Sequence, residues 1–249
     1  MVFMMFIKFF LLSIVCSVAL FANEMSAESI IKKVDENMRG KSIYMKMKMS
    51  IIASGHTRTM VMQSWSQGNK KSFVKTLYPP KDKGITFLSL DGQMWQYVPK
   101  IERTIKIPPS MMLQNWMGSD ITNDDLVKQS SIVEDYDAKI LQRDGTIVTI
   151  ELIPKEDAAV VWGKIVSQID TKTFTGVQDL FYDEEGKEVR VFKYADVKRF
   201  GDYFIPTKWS ILPIDKVGNS TQITLEEVSY DIEISSEYFQ KSALKRFSR

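Results

Sequence analysis

The stretch IYMKMKMSI, which spans residues 43–51, indicates the fold class. Apolar side chains recur there at every second position: Ile43, Met45, Met47, Met49 and Ile51. A period of two is that of a β-strand, and an apolar face opposite a mostly polar one means that the strand is half-buried. The stretch therefore predicts an antiparallel sheet that covers a core on one side.

Turn signals recur at short intervals outside this stretch, as at Ser54-Gly55, Asp91-Gly92 and Asp144-Gly145. Between such signals lie eleven further runs with strand character, at residues 59–65, 72–77, 85–90, 93–98, 104–107, 146–153, 162–169, 177–182, 189–197, 205–212 and 221–234. Many short strands joined by tight turns predict a mainly β fold, a sandwich or a barrel. A curved sheet of that many strands encloses more space than its own side chains fill, which favours a cavity.

Three segments depart from the strand pattern. Ser26 can cap a helix that runs to Arg39 and stops at Gly40. Residues 235–247 predict a short C-terminal helix capped by Ser236. Residues 108–129 are too many for a hairpin turn, and connections of that length are usually functional or locally helical.

The first 22 residues have the composition of a secretory signal peptide. The uncharged run 9–21 follows Lys8 and is shorter than the ~20 residues of a membrane span. Cleavage after Ala22 would leave residues 23–249, which we interpret as a single domain in the periplasm. Two alternatives are an uncleaved anchor and lipidation at Cys16, for which Val15 is larger than the small residue that a lipoprotein signal needs.

Composition excludes several classes of function. The net charge of +2 gives no electrostatic case for nucleic-acid binding. One Cys and one His leave no internal disulfide and few possible metal sites, and no nucleophile or phosphate-loop motif occurs. The acidic residues Asp120, Asp124 and Asp125 lack the central Gly and closing Glu of a calcium loop. We therefore predict no metal site and no cofactor, and we assign no catalytic residue. A pair of strand carboxylates that act as general acid and base stays open as an alternative.

Methionine is concentrated in one part of the chain. Ten of the 14 methionines lie between Met38 and Met117. Because methionine adapts its shape, a surface rich in it suits varied apolar ligands, although any single methionine is more often a core residue. If the sheet and the 108–129 segment meet, their methionines enclose either a core or an apolar pocket.

A more specific pattern spans residues 91–126. The run DGQMWQYVPK at 91–100 is followed by Arg103, by Pro109-Ser110, by Met117-Gly118-Ser119-Asp120 and by Asp124-Asp125-Leu126. This pattern resembles the LolA-like outer-membrane lipoprotein-sorting protein family, and more closely its larger branch of uncharacterised periplasmic proteins. The exported N-terminus, the first helix and the ending SSEYF at 235–239 are similar as well.

The resemblance implies a half-open antiparallel β-barrel or curved sheet around an apolar cavity, with an N-terminal helix and a helical lid loop. In the best understood relatives this cavity carries the acyl chains of a lipoprotein across the periplasm, and no enzymatic activity accompanies the fold. We therefore expect a carrier of lipoprotein acyl chains or lipids, with an inner-membrane exporter and an outer-membrane acceptor as partners.

The predicted lipid-binding residues are apolar side chains of the strands and of the lid loop. They are Met45, Met47, Met49, Met60, Met62, Phe87, Trp95, Tyr97, Met112, Leu113, Trp116 and Met117. Their assignment to the cavity rests on alternation in the strands and on position in the lid loop, so an error of one residue would turn a side chain to the other face. Three alternatives are an envelope sensor or accessory subunit that docks a membrane lipid exporter, a hydrolase with paired carboxylates, and a structural envelope protein.

Overall fold

The computed structural model describes residues 24–128, 132–158 and 160–249. The predicted signal segment, residues 1–22, lies outside the described residues. Within the described ranges, no helix combines the length and the apolarity that a membrane crossing requires.

Thirteen strands form one antiparallel sheet in the described part of the chain, and the sheet is curved and open. They are β1 (Ser42–Ala53), β2 (His56–Gln67), β3 (Lys71–Tyr78), β4 (Thr86–Leu90), β5 (Gln93–Val98), β6 (Arg103–Ile107), β7 (Tyr136–Asp144), β8 (Ile147–Pro154), β9 (Lys164–Asp170), β10 (Thr175–Tyr182), β11 (Glu188–Phe200), β12 (Tyr203–Pro213) and β13 (Ser220–Tyr230). The predicted mainly β class is confirmed.

The strand order explains why one connection crosses the sheet. The order is β6-β5-β4-β3-β2-β1-β13-β12-β11-β10-β9-β8-β7, so β6 and β7 are the two edges. Consecutive strands are neighbours everywhere except between β6 and β7. The residues that join these two strands must therefore pass from one edge of the curved sheet to the other.

Short helices flank or interrupt the strands. The α-helices are α1 (Ala27–Arg39), α2 (Asn123–Lys128), α3 (Ile132–Asp135) and α4 (Lys241–Arg246). Single 3₁₀ turns lie at Pro99–Ile101, Pro109–Met111, Trp116–Gly118 and Ser236–Phe239. Since two of these turns and α2 belong to the connection between β6 and β7, the expectation of a locally helical segment there is confirmed.

Helix α1 covers the half of the sheet near the β7 edge. Ser26 caps the helix by accepting a hydrogen bond from the Ser29 amide at 3.2 Å, as the sequence predicts. Gly40 ends the helix with a φ of 55°. The buried side chains Ile30 and Ile31 pack in one cluster with apolar residues of β8, β9 and β10.

The apolar residues of the sheet form clusters on both of its faces. One cluster joins β1, β2, β4, β5, β12 and β13 to the connection after β6, and a second joins α1 to the strands near β7. A third cluster lies on the opposite face of β3, β4 and β5, beneath the C-terminal residues. Strands β4 and β5 are consequently buried on both faces.

The C-terminal residues are seated tightly on that opposite face. Leu244 of α4 is fully buried against Phe73 and Leu88. The Thr86 hydroxyl donates a hydrogen bond to the Leu244 carbonyl oxygen at 2.7 Å. The chain end comes so close to Gly84, which has a φ of 82°, that a Cβ there would lie 2.2 Å from the Ser248 carbonyl oxygen.

Two local predictions differ from the structure. Strand β7 was not predicted, because its apolar alternation is short: Tyr136, Ala138 and Ile140 pack against the α1 cluster, but the strand ends in exposed residues, of which the last three are polar. The C-terminal residues form a 3₁₀ turn followed by α4, and the cap is Ser235, which accepts from the Glu237 amide at 3.3 Å, instead of Ser236.

We expect Leu244→Ala to lower the free energy of unfolding by about 2–5 kcal/mol, because it leaves a cavity under α4. Val217→Ala is the control: Val217 is 97% exposed, and its truncation should change stability by less than about 0.5 kcal/mol. Equilibrium urea denaturation measures both values. Equal effects of the two substitutions would show that α4 is not part of the core.

Candidate functional site

A cavity of about 240 Å³ lies between the two inner clusters. We call the face of the sheet that lines it the inner face, and residues 108–128 the covering segment. Apolar side chains from both halves of the sheet and from the covering segment line the cavity: Met45, Met47, Val74, Phe87, Met94, Trp116, Ile121, Leu126, Val127, Ile165, Phe181, Phe192, Trp209 and Ile223.

Methionines of β1 and β2 form one wall, because the register of the two strands brings them together. Met47 is paired with Met62, and Met49 with Met60. Met45 and Met47 line the cavity, whereas Met49, Met60 and Met62 are fully buried in the same cluster. The structure thus places all five predicted methionines on the inner face.

Two further predicted residues, Phe87 and Trp116, also line the cavity. Their rings meet edge to face, with centroids 5.3 Å apart. Trp116 belongs to the covering segment, so this contact joins the segment to β4. Met112 and Met117 pack against the same cluster without lining the cavity, and Leu113 is 57% exposed.

Trp95 and Tyr97 lie on the outer face, in the cluster beneath the C-terminal residues. The prediction that they line the cavity is wrong, because the other set of alternate residues in β5 faces inward. Met94 of the same strand lines the cavity instead. The reason is that β5 is buried on both faces. Its apolar residues therefore do not reveal which face is the inner one.

The wall opposite the methionines was missed by the sequence analysis. It includes Phe181, Phe192, Tyr194 and Trp209 from β10, β11 and β12. These residues are far from β1 in sequence and reach the cavity only because the sheet curves. The signal that could have found them is the inward alternation Arg190, Phe192, Tyr194 along β11.

A buried ion pair fastens the covering segment to the sheet. Arg190 of β11 donates to both carboxylate oxygens of Asp125, at 2.7 and 2.5 Å. The Arg190 side chain is 5% exposed, and its guanidinium carbon lies 4.2 to 4.7 Å from the ring centroids of Trp162, Phe181 and Phe192. A bidentate pair enclosed by aromatic rings is both strong and specific in its geometry.

The same carboxylate begins α2. The Thr122 amide and hydroxyl donate to the Asp125 carboxylate at 2.7 and 2.8 Å, and the Asp125 amide donates back to the Thr122 hydroxyl at 3.2 Å. This reciprocal arrangement is a capping box. The Asp125 carboxylate therefore both caps the start of α2 and neutralises the charge of Arg190.

Two more contacts hold the covering segment in place. The Thr221 hydroxyl of β13 donates to the Asp120 carboxylate at 2.8 Å and accepts from the Asp120 amide at 2.9 Å. Arg58 of β2 donates to the Met117 carbonyl oxygen at 3.1 Å and pairs with Asp82 at 2.7 Å. The segment is thus fastened to β2, β11 and β13 across the width of the sheet.

One acidic side chain is built into the cavity wall. Asp179 accepts a hydrogen bond from the Tyr194 hydroxyl at 2.7 Å, and both residues line the cavity. Burial raises the pKa of Asp179, although hydrogen bonds from Ser167 and Tyr194 and the charge of Arg190 act in the lowering direction. Burial and the neighbouring Asp179 carboxylate also raise the pKa of Tyr194 well above its ordinary range.

The arrangement can shelter an apolar group. The cavity exceeds the roughly 150 Å³ of an engineered apolar cavity that admits benzene, but it is smaller than the roughly 300–1,000 Å³ of typical ligand pockets. It has room for a short apolar segment, and the rest of a larger ligand would have to leave through the opening beside Lys70 and Lys71 or displace the covering segment. Among the described residues, no group of three or more His, Cys, Asp or Glu side chains could hold a metal ion.

Comparison with known proteins identifies the family. A model of a family of uncharacterised proteins matches residues 68–246, which include the inner methionine Met94 and the whole covering segment. The chain belongs to this family of uncharacterised proteins. The LolA-like resemblance seen in the sequence is confirmed for the fold by the solved structures described next. A search of curated proteins finds no match to the chain.

Solved structures share the LolA-like fold. A DUF1329 family protein from Desulfovibrio piger is 21% identical, with a TM-score of 0.80 over 88% of this chain and 97% of its own. A domain from Vibrio parahaemolyticus assigned to outer-membrane lipoprotein sorting is 20% identical, with a TM-score of 0.77 over 88% and 98%. A LolA superfamily protein from Nitrosomonas europaea is 19% identical, with a TM-score of 0.75 over 88% and 100%. These likenesses establish that the protein has a LolA-like fold.

Asp125→Asn should lower the free energy of unfolding of this LolA-like protein by about 3–5 kcal/mol, because Arg190 would remain buried without its counter-ion. Glu36→Gln is the control. Glu36 pairs with Lys32 at 3.9 Å on the surface of α1, and its loss should change stability by at most about 0.5 kcal/mol. Urea denaturation compares the two variants, and similar small effects in both would contradict the role given to Asp125.

Asp179→Asn should change the pH dependence of stability in a fixed direction. Since the folded protein holds the Asp179 proton more tightly than the unfolded chain, whose aspartates have a pKa of about 3.9, the wild type loses stability as pH rises from about 4 through the folded pKa. The variant lacks this loss, so its free energy of unfolding should increase relative to the wild type between about pH 4 and pH 7.

Urea denaturation at a series of pH values measures this difference. Burial also raises the pKa of Asp35, but that contribution is common to both proteins and cancels. A difference that stays constant, or that decreases as pH rises, would contradict a raised pKa for Asp179.

Proposed function

We propose that this protein is a periplasmic carrier that binds the acyl chains of a lipoprotein or a lipid in its apolar cavity and serves outer-membrane lipoprotein sorting. The observation that carries the proposal is the cavity itself. It is lined on one side by the methionines of β1 and on the other by aromatic residues of β10, β11 and β12. The covering segment lies over part of it, and the exposed residues Asn69, Lys70 and Lys71 line its rim. The assignment of the Vibrio parahaemolyticus domain to lipoprotein sorting supports the same cargo.

The composition of the wall suits reversible binding of hydrocarbon. Each buried CH₂ group of an acyl chain contributes roughly 0.8 kcal/mol, so a few carbons are enough for measurable affinity. Flexible methionines such as Met45 and Met47 adapt to chains of different shape, and they form few directional bonds that would have to be broken on release. A carrier needs both properties.

Cargo larger than one short chain segment is accommodated by displacement of the covering segment. The cavity of about 240 Å³ is too small for two long acyl chains. The contacts of Asp125 with Arg190 and of Asp120 with Thr221 would open in that step. Binding would then compete with the closed arrangement, which keeps affinity moderate and release possible.

We place the protein in the periplasm on the strength of the signal-like residues 1–22, with residues 23–249 as the binding domain. A carrier there needs a donor and an acceptor for its cargo, which we propose to be an inner-membrane exporter and an outer-membrane receptor.

The observations favour carriage over the alternatives of docking and hydrolysis. A docking subunit needs no internal cavity. Among the described strand residues that line the cavity, Asp179 is the acidic one, so the wall does not offer a pair of facing strand carboxylates.

The proposal is tested by the same substitution on the two faces of β1. Met47→Asp places a charge in the cavity wall and should abolish binding of a fluorescent fatty acid and of co-purifying acyl species. Lys48→Asp, one residue further along and exposed on the other face, is the matched control and should bind as the wild type does.

Binding is measured by fluorescence titration and by native mass spectrometry with lipid extraction, on variants whose circular dichroism matches the wild type. Equal binding by Met47→Asp and wild type would overturn the assignment of the cavity as the site. A wild type that binds neither fatty acids nor lipoproteins would overturn carriage as a whole.

A further inference from the structure

We propose that one end of the cavity binds the phosphate group of an amphiphilic lipid while the methionine wall holds its hydrocarbon. We call this end the polar mouth. It consists of inner-face serines and of residues in the turn between β2 and β3: Ser64, Ser66, Ser72, Ser89, Asn69 and Lys70. The inference rests on the proposed function, because it concerns the head group of the acyl ligand, and it selects a phosphate-bearing lipid as the cargo.

The inner face changes from apolar to polar toward the same end of three neighbouring strands. Its inward positions are Met60, Met62, Ser64 and Ser66 on β2, Val74 and Ser72 on β3, and Phe87 and Ser89 on β4. The register places Ser66 opposite Ser72, and Ser72 opposite Ser89. Because opposite residues on one face have Cβ atoms about 4.5–5.5 Å apart, the three hydroxyls form a continuous row.

The hydroxyls of the four serines are open to a ligand. None of them has a hydrogen-bond partner among the residues that the structure describes, yet Ser64 is only 5% exposed and Ser89 only 9%. They line the cavity and keep accessible surface, whereas the hydroxyl of Thr76 on β3 is fully enclosed without a partner. Donors placed in this way along an otherwise apolar wall suit a polar group of the bound molecule.

The turn beside the serine row carries a positive charge. Lys70 is exposed, lines the cavity and forms no ion pair with any residue that the structure describes. Lys71 also lies at the rim, but it alternates with the inward Ser72 along β3, so we assign the contact with the ligand to Lys70. The charge of Arg39, which lines the same cavity, is already paired with Asp35 at 2.5 Å.

The acidic residues around the cavity leave this charge available. Asp91, in the turn after β4, meets Lys70 through its backbone, since its amide donates to the Lys70 carbonyl oxygen at 3.0 Å. Among the described residues, the acidic ones that line the cavity are Asp124, Asp125 and Asp179. They belong to α2 and β10 and not to the strands or the turn of the polar mouth. An anion at the mouth therefore meets a cation without a competing carboxylate.

A phosphate fits this set of donors. A phosphate monoester carries about −1.5 to −2 charges near pH 7 and has three acceptor oxygens, so it can use several hydroxyl donors and a lysine at once. A carboxylate has one charge and two oxygens, and an uncharged head group gains nothing from Lys70. The apolar wall begins directly beside the serines, because Met45 is paired with Ser64. One molecule can therefore place its phosphate at the mouth and its chain over the methionines.

The test compares decyl phosphate, decanoate and decanol, which have chains of equal length, in displacement of a fluorescent apolar dye from the full-length protein. All three are used below their critical micelle concentrations. We expect the wild type to bind decyl phosphate most tightly and decanol least. In Lys70→Gln the preference for decyl phosphate over decanol should fall by roughly 3- to 10-fold, as the loss of a partly exposed charged contact implies.

Lys216→Gln is the matched control, because it removes the same charge from an exposed turn at the opposite end of β1. The turn of Lys216 reaches the end of β1 through Asn219, which accepts from the Ser54 amide at 3.3 Å. The turn of the polar mouth instead lies at the start of β1, where the Gly68 amide donates to the Lys41 carbonyl oxygen at 3.0 Å. Lys216→Gln should keep the wild-type preference.

A measurement on the unaltered protein locates the head group. In ¹⁵N-labelled protein, decyl phosphate should shift the backbone amide signals of Asn69, Lys70 and Ser72 more than decanol does, and the Lys216 signal should stay in place with both. Equal shifts by the two probes, equal losses in Lys70→Gln and Lys216→Gln, or equal binding of decanoate and decyl phosphate by the wild type overturns the inference while carriage stands. Failure of the wild type to bind any of the three probes overturns the proposed function itself.

Discussion

The contact between Arg190 and Asp125 is the constraint on which the cavity depends. The sheet is open, with β6 and β7 as its edges, so its curvature alone does not close the inner face. The chain must cross that face to pass from one edge to the other, and Asp125 lies on this crossing. Because the pair with Arg190 fixes Asp125 to β11, the connection lies against the inner face and covers it. The Arg190 guanidinium also lies over three aromatic rings. Without Asp125, its charge would stand unpaired in this aromatic wall.

A carrier must bind hydrocarbon and must also release it. An apolar wall under a cover that is held by a few polar contacts suits both requirements. Buried methionines and aromatic rings provide nondirectional attraction for hydrocarbon, which increases with the number of carbons enclosed. The hydrogen bonds of Asp120, Asp125 and Arg58 resist opening, so only part of the gain from burial becomes affinity. The small volume of the cavity, about 240 Å³, is consistent with the proposal that cargo displaces the covering segment.

The sequence predicts the parts of this structure that depend on local patterns. Alternation from Ile43 to Ile51 determines which face of β1 is apolar, and Ser26 with Gly40 sets the bounds of α1. Patterns of this kind fail where both faces of a strand are buried or where the apolar alternation is short. Trp95 lies outside the cavity because β5 has a second cover, and in β7 only Tyr136, Ala138 and Ile140 alternate before the exposed end of the strand. The pairing of Arg190 with Asp125 joins residues far apart in sequence, and only the curvature of the sheet brings them together.

The central claim is that hydrocarbon enters the space between the methionines of β1 and Trp116. A crystal structure of the protein with a fatty acid brominated near its terminal carbon tests this most directly, since anomalous scattering locates the bromine atom. The account predicts a bromine position within contact distance of Met47 or Trp116, on the inner face of the sheet. Bromine found only on the outer surface, with the inner space unchanged, would contradict it.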